Sequence, residues 1–136
     1  MKVMLDSNIF ISAFLFPDGT ASHAFRKAMQ SFHVVVSDYI IDELYEVVRR
    51  KFPSKEKALD GFLSLALSLF EVVKTPEAEE ETEFKIRDVD DRPVLRAALY
   101  ADVDVIVTGD KDFLESALTK PRIMSPSEFL RISDGE

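Results

Sequence analysis

Carboxylate side chains stand beside several predicted strands and helices of this sequence. Asp6 ends the first apolar run, and Asp110 follows a later one. Glu43 lies on a predicted helix, about one and a half turns beyond its start at the normal helical repeat. Asp91 opens the helix that leads into the strand before Asp110. Functional groups of parallel α/β sheets lie beyond the carboxyl ends of the strands, so these four acids from four segments can converge on one edge.

Such a group of acids would need a counter-charge. Close carboxylates repel one another and raise one another's pKa values. A divalent cation relieves the repulsion, and oxygen ligands in a chain without cysteine favour Mg²⁺ or Mn²⁺. The reaction that matches this chemistry is phosphodiester hydrolysis, in which a metal ion activates water and neutralises charge at the phosphate.

Each acid also has a purely structural interpretation. Asp6 and Asp110 could cap the helical turns that follow them, and capping by one oxygen of Asp110 is compatible with ligation by the other. Asp91 is equally well placed to be a helix N-cap. Glu43 stands among other acids on its helix, and periodicity alone favours a solvent-exposed side chain there. Residue types and spacing therefore indicate an acidic metal site and leave these alternatives open.

The elements that must position the acids alternate between strand and helix. Short apolar or β-branched runs predict strands at residues 2–5, 33–36, 71–74, 103–108 and 123–124. Apolar spacing and capping residues predict helices at 9–16, from Thr20 or Ser22 through 28, at 38–51, 59–70, from 91 through 99, at 113–118 and from 125 onward. This alternation predicts a central parallel sheet flanked by helices on both faces, an α/β three-layer sandwich. With no linker in sight, residues 1–136 are predicted to form one domain.

Composition narrows the class of protein. An apolar fraction of 46% is typical of a globular chain, and the absence of cysteine excludes disulfides and thiolate chemistry. With only two histidines, an imidazole zinc site is not expected. No apolar run is long enough to span a bilayer and no signal-peptide layout is present, which leads us to expect no membrane association and a cytoplasmic protein.

The distribution of charge and apolar residues supports two further expectations. The net charge of −8 argues against a nucleic-acid binder when taken alone, but a cation site must be acidic before the metal arrives, so charge does not decide the question. Five glutamates at residues 77–83 predict a solvated loop. The predicted helix at 59–70 is apolar around most of its circumference, which suggests that a second copy covers one side in a homodimer.

Three segments resemble successive motifs of PIN domains. They are residues 3–8 (VMLDSN), residues 37–48 with Glu43, and residues 88–113. The last is the most specific, with DDRPVLRAA at 90–98 and VIVTGDKDF at 105–113. The resemblance covers nearly the whole chain in order and spacing, and the most similar group is that of VapC-like toxins from bacterial and archaeal toxin–antitoxin pairs.

The resemblance implies a role for each acid. Asp6 would be the first metal ligand, Glu43 the second acid, Asp91 the third and Asp110 the fourth, with Mg²⁺ or Mn²⁺ as the cofactor. Asp90 is an alternative to Asp91 as the third acid, and Asp112 is a candidate to share a metal with Asp110.

The resemblance also implies polar residues that would orient the acids or the water. They are Ser7, Asn8 and Thr108.

The implied activity is that of an endoribonuclease in which water attacks an RNA phosphodiester in line. Basic side chains would hold the phosphate, and the two beside the acids, Lys111 and Arg92, are the foremost candidates. The remaining candidates, for which ordinary surface charge is the simpler explanation, are Arg49, Arg50, Lys51 and Arg96. An antitoxin protein would be the partner. The alternative is a catalytically silent PIN-fold module that binds RNA or protein without cleaving it.

Overall fold

Five parallel strands form the central sheet. In the computed structural model, which describes residues 1–133, they are β1 (Lys2–Leu5), β2 (His33–Ser37), β3 (Glu71–Val73), β4 (Val105–Val107) and β5 (Arg122–Met124). Their order across the sheet is β3-β2-β1-β4-β5, and every neighbouring pair is parallel. The register sets Leu5 beside Val107, so β1 and β4 end side by side.

Seven α-helices connect and flank these strands within the described residues. They are α1 (Ser7–Leu15), α2 (Thr20–Ser31), α3 (Asp38–Lys51), α4 (Glu56–Leu67), α5 (Arg92–Tyr100), α6 (Lys111–Leu114) and α7 (Pro126–Arg131). The predicted α/β fold, a parallel sheet flanked by helices, is confirmed. The assignment of residues 1–136 to a single domain stays a prediction.

The apolar runs seen in the sequence form the buried centre of the sheet. The central residues of β1, β2 and β4 are at most 3% exposed. Strands covered on both faces carry continuous apolar runs instead of alternating ones, which is why these segments are Val-, Ile- and Leu-rich. Polar residues follow the apolar residues of each of these strands. The acids lie at this edge of the sheet, where the carboxyl ends of the strands meet.

Predicted details of the helices differ from the structure at α2, α4 and α6, the last of which covers Lys111–Leu114 and not 113–118. The N-cap of α2 is Gly19, which has no side chain to donate or accept. Ser22 instead lies buried inside the helix and accepts a hydrogen bond from Arg26. The fourth helix begins three residues earlier than predicted and ends at Leu67, three residues before the predicted end. Leu65 within it and Leu69 just after it are exposed at 76% and 70%.

The sequence predicted a solvated loop at residues 77–83, but part of this acidic stretch is buried. Glu83 is 1% exposed and accepts hydrogen bonds from the Arg96 guanidinium at 2.7 and 3.1 Å. A buried carboxylate is tolerated only when it is paired and hydrogen-bonded. Arg96 is thereby engaged in the fold and is not free to hold a substrate phosphate.

No helix in the described part of the chain is both long enough and apolar enough to cross a membrane.

Candidate functional site

Asp6 is the most deeply buried acid at the carboxyl edge of the sheet, with 2% of its surface exposed. Its backbone N–H donates to the carbonyl of Val107 at 2.9 Å and so continues the pairing of β1 with β4. Its carboxylate accepts hydrogen bonds from the Thr108 hydroxyl and the Ser7 N–H, both at 2.8 Å. Burial raises the pKa of Asp6 to about 6, the two hydrogen bonds oppose the rise, and the nearby charges of Glu43 and Asp110 add to it.

Thr108 joins Asp6 to the fourth predicted acid. The Thr108 hydroxyl accepts from the Asp110 N–H at 3.0 Å while it donates to Asp6. One oxygen of Asp110 accepts from the N–H groups of Asp112 and Phe113, at 2.8 and 3.3 Å, and caps α6. Asn8 spans the same two strand ends, because its side-chain oxygen accepts from Gly109 at 3.1 Å and its amide nitrogen lies 3.4 Å from Asp6. The polar residues expected beside the acids therefore form one network with them.

Asp91 ends a short 3₁₀ turn formed by Val89–Asp91. It is 8% exposed, and its Oδ2 is buried without a hydrogen-bond partner among the described residues. Its side chain makes no capping hydrogen bond to α5, contrary to the structural interpretation, because its own backbone is already helical, with φ −87° and ψ −15°. A buried carboxylate oxygen without a partner is costly, and a cation bound at this atom would offset that cost.

Asp91 is one of three carboxylates that lie close together. Asp88, Asp91 and Asp110 each bring an oxygen within 4.8 Å of the others. Burial raises the pKa of Asp91 to about 8, and the negative charges of Asp6, Asp110 and Asp88 contribute to the rise. Asp91, and not Asp90, belongs to this trio, while the backbone carbonyl of Asp90 accepts from Tyr39 at 2.7 Å.

Glu43 faces the acids from α3. It accepts a hydrogen bond from the Ser7 hydroxyl, and burial together with neighbouring acids raises its pKa. Asp42, the preceding residue, is exposed to solvent. Glu43 is therefore not the solvated helix residue that periodicity alone favoured.

These residues line a cavity of about 480 Å³. We call it the acidic cavity. Its acids are Asp6, Glu43, Asp88, Asp90, Asp91 and Asp110. Apolar side chains of α1, α3 and the adjoining segments also line it, namely Ile11, Leu15, Phe16, Val47 and Phe52. Lys51 is the only basic residue among the described residues that line it.

Several predicted residues lie outside the acidic cavity. Asp112 pairs with Arg87 at 3.6 Å, and Lys111 is exposed with its ammonium 3.9 Å from Glu115. The Arg92 side chain is directed away from the acids. It donates to the Ile86 carbonyl at 3.1 Å, and its guanidinium stacks on the Phe84 ring. Adjacency in sequence to an acid did not place these three side chains at the site.

Asp88 is the residue that sequence reasoning missed. Its spacing of three from Asp91 was the available signal, since residues three apart in a helical turn share a side. The turn itself was not predicted, although Asp88 also caps it by accepting from the Asp90 N–H at 3.0 Å.

The donor set fits a divalent cation. All the candidate ligands are carboxylate oxygens, which Mg²⁺ and Mn²⁺ prefer. The unpaired Asp91 oxygen and the mutual repulsion of the acids are the features that a bound cation would relieve.

The fold and site define a class of α/β protein with a candidate cation site at the carboxyl edge of a parallel sheet. A family model, the PIN domain, matches residues 2–112, and the chain belongs to that family. No curated protein sequence matches the chain.

Solved structures share this fold. VapBC2 from Rickettsia felis, described as bound to a DNA fragment from their promoter, is 16% identical with a TM-score of 0.69, over 92% of this chain and 98% of the other. FitAcB from Neisseria gonorrhoeae is 19% identical with a TM-score of 0.66, over 92% of this chain and 98% of the other. VapC20 from Mycobacterium tuberculosis, described as a sarcin–ricin loop cleaving toxin, is 15% identical with a TM-score of 0.64, over 85% of this chain and 95% of the other.

Proposed function

We propose that this protein is a metal-dependent endoribonuclease and the toxin component of a toxin–antitoxin pair. The observation that carries the proposal is the buried carboxylate of Asp91, which has an unpaired Oδ2 and lies close to the carboxylates of Asp88 and Asp110. Membership of the PIN domain family supports the same activity. The fold shared with VapC20, described as a sarcin–ricin loop cleaving toxin, supports the toxin assignment.

The site residues would divide the work between holding a cation and orienting its ligands. Asp6, Asp91 and Asp110, with Glu43 and Asp88, would hold Mg²⁺ or Mn²⁺. When bound, such a cation supplies activation of water and neutralisation of charge on a phosphodiester. Thr108 and the Ser7 N–H hold the Asp6 carboxylate in one orientation through their hydrogen bonds. Asn8, bonded to the Gly109 N–H, ties the ends of β1 and β4 together beneath the site.

The partners follow from the proposed toxin role. An antitoxin protein would cover the acidic cavity and block access of RNA, a role that co-purification with the neighbouring gene product and loss of cleavage in the complex would establish. The homodimer also stays a prediction, supported by two exposed apolar side chains, Leu65 within α4 and Leu69 just after it. Light scattering at micromolar concentration tests it, and a monomer mass would contradict it.

Metal removal is the direct test of the nuclease. We expect the purified protein, free of antitoxin, to cleave at least one member of a panel of single-stranded and structured RNAs in Mg²⁺ or Mn²⁺. Cleavage is expected to stop in EDTA and to return when the cation is restored, because the acids alone cannot neutralise a phosphodiester. The measurement is cut-site mapping on denaturing gels. RNA binding without cleavage in any metal would favour the silent module instead.

Lys51 is expected to contact substrate phosphate, since it is the basic residue in the described lining of the acidic cavity. We expect Lys51→Gln to lower kcat/KM about 5-fold and to reduce the slope of log(kcat/KM) against log[salt] by about 0.7, the value for one lost contact to a single strand. Lys57→Gln, an exposed lysine on α4 outside this lining, is the matched control. An unchanged salt slope in Lys51→Gln would remove Lys51 from the substrate path.

A further inference from the structure

Residues 74–91, which join β3 to α5, form a strap that runs to the acidic cavity. Arg96 of α5 fastens the strap at two points. Its guanidinium donates to both carboxylate oxygens of Glu83, at 2.7 and 3.1 Å, and to the carbonyl of Pro76 at 3.1 Å. Glu83 also accepts from the Glu80 N–H at 2.9 Å, so both of its oxygens are hydrogen-bonded. The pair is shielded from solvent, with side-chain exposures of 1% for Glu83 and 14% for Arg96.

Arg92 makes a second attachment one helical turn earlier in α5. Its Nε donates to the Ile86 carbonyl at 3.1 Å, and its guanidinium lies 5.3 Å from the centre of the Phe84 ring. The spacing of four puts both arginines on one side of α5. These two basic residues, which the sequence indicated as candidates to hold phosphate, are instead directed at the strap.

The attachment encloses two of the candidate ligands. Glu83 and Arg96 are 13 residues apart, and Asp88 and Asp91 lie in the loop between them. When these acids are ionised and no cation is bound, Asp88 and Asp91 are repelled by Asp110 and Asp6. Because the loop is tied at both ends, that repulsion cannot open it freely.

We propose that the Glu83–Arg96 ion pair positions the cation site by holding Asp88 and Asp91 against Asp110. Both members are positioning residues that act through the strap. The inference rests on the proposed cation site. It predicts that cation affinity depends on a salt bridge that supplies no ligand, in the way that residues outside the ligand set of metal sites commonly change affinity by about 10-fold or more.

The test is Mn²⁺ binding measured by titration calorimetry, with no RNA and no turnover. The main variant replaces both partners, Glu83→Met with Arg96→Met, because apolar replacement of a whole buried pair often preserves folding whereas loss of one partner does not. We expect Mn²⁺ affinity to fall about 10-fold. The matched control replaces the exposed pair Arg49 and Glu56, joined at 2.7 Å, by methionines and is expected to bind like the wild type.

A general loss of stability is separated from positioning by Leu59→Ala. This residue is buried in α4 and lies outside the acidic cavity and the strap. We expect Leu59→Ala to lower the urea midpoint but to leave the Mn²⁺ dissociation constant within about twofold of the wild-type value. Equal weakening of Mn²⁺ binding in this variant would overturn the inference.

The remaining outcomes are also decisive. If the double variant does not fold, Arg96→Lys replaces it, since a single ammonium cannot span both Glu83 oxygens and the Pro76 carbonyl. That variant is expected to weaken Mn²⁺ binding at least about 3-fold. Wild-type affinity in a folded strap variant would overturn the positioning role, whereas absence of Mn²⁺ binding by the wild type would overturn the proposed cation site itself.

Discussion

Asp6→Asn is expected to reduce metal-dependent RNA cleavage roughly 10³-fold or more, on the scale seen when one member of a catalytic set is removed. Asp6 is the buried acid on which the hydrogen bonds from Thr108 and Ser7 converge. Asparagine has the same shape but carries no charge, so the site loses an anionic ligand. The amide would retain the bond from the Ser7 N–H, and the protein is expected to stay folded.

The measurement is the single-turnover rate on the RNA that the wild type cleaves best. Circular dichroism and the urea midpoint establish that the variant is folded. Asp42→Asn is the matched control, because Asp42 is an exposed aspartate on α3 outside the acidic cavity and the charge change is identical. A folded Asp6→Asn variant that cleaves at the wild-type rate would refute the assignment of this site to catalysis.

The position of Asp6 and Asp110 was predictable because it follows from the strands. Buried parallel strands read as apolar runs, and the first polar residue after each run marks the sheet edge. Assigning Glu43 and Asp91 to the site required the resemblance to a family. Periodicity alone placed Glu43 in solvent, and a role as a helix N-cap was enough to explain Asp91. In the structure the Ser7 hydroxyl bonds to Glu43, and Asp91 makes no cap.

The features that escaped prediction depend on tertiary contacts of irregular segments. Asp88 reaches the trio through a 3₁₀ turn of three residues, too short to give a periodic signal. Glu83 belongs to a run of glutamates that resembles a solvated loop, and only its partner Arg96 explains its burial. Arg92 and Lys111 lie outside the acidic cavity because of the directions of their side chains. Adjacency in sequence to an acid does not reveal that direction.

In the absence of divalent cations, the protein is expected to lose stability as the pH rises from 5 to 8.5. Burial and neighbouring acids raise the pKa of Asp91 to about 8, and burial raises that of Asp6 to about 6, both from an ordinary value of 3.8. A carboxyl group with a higher pKa in the folded state binds more protons folded than unfolded across that interval. The free energy of unfolding therefore falls with increasing pH, by roughly 3–5 kcal/mol from these two groups.

Asp91→Asn separates this effect from other titrations. The amide is neutral at every pH and cannot suffer the repulsion from Asp88 and Asp110, so the fall in stability is expected to be smaller and the variant more stable than the wild type at pH 8.5 in EDTA. Mg²⁺ is expected to restore wild-type stability at pH 8.5, since a bound cation favours the ionised acids. It should do much less for the variant, which has lost a charged ligand.

Urea denaturation at pH 5, 7 and 8.5, in EDTA and in Mg²⁺, measures both expectations, with Asp42→Asn as the control for a change of net charge. If the wild type is equally stable at all three pH values in EDTA, the pKa of Asp91 is not raised in the folded protein. If Mg²⁺ stabilises Asp91→Asn as much as the wild type, this carboxylate is not a ligand. A residue that serves cation binding at the expense of stability must give both results together. Replacing it increases stability in EDTA, and the replacement removes the stabilisation by the cation.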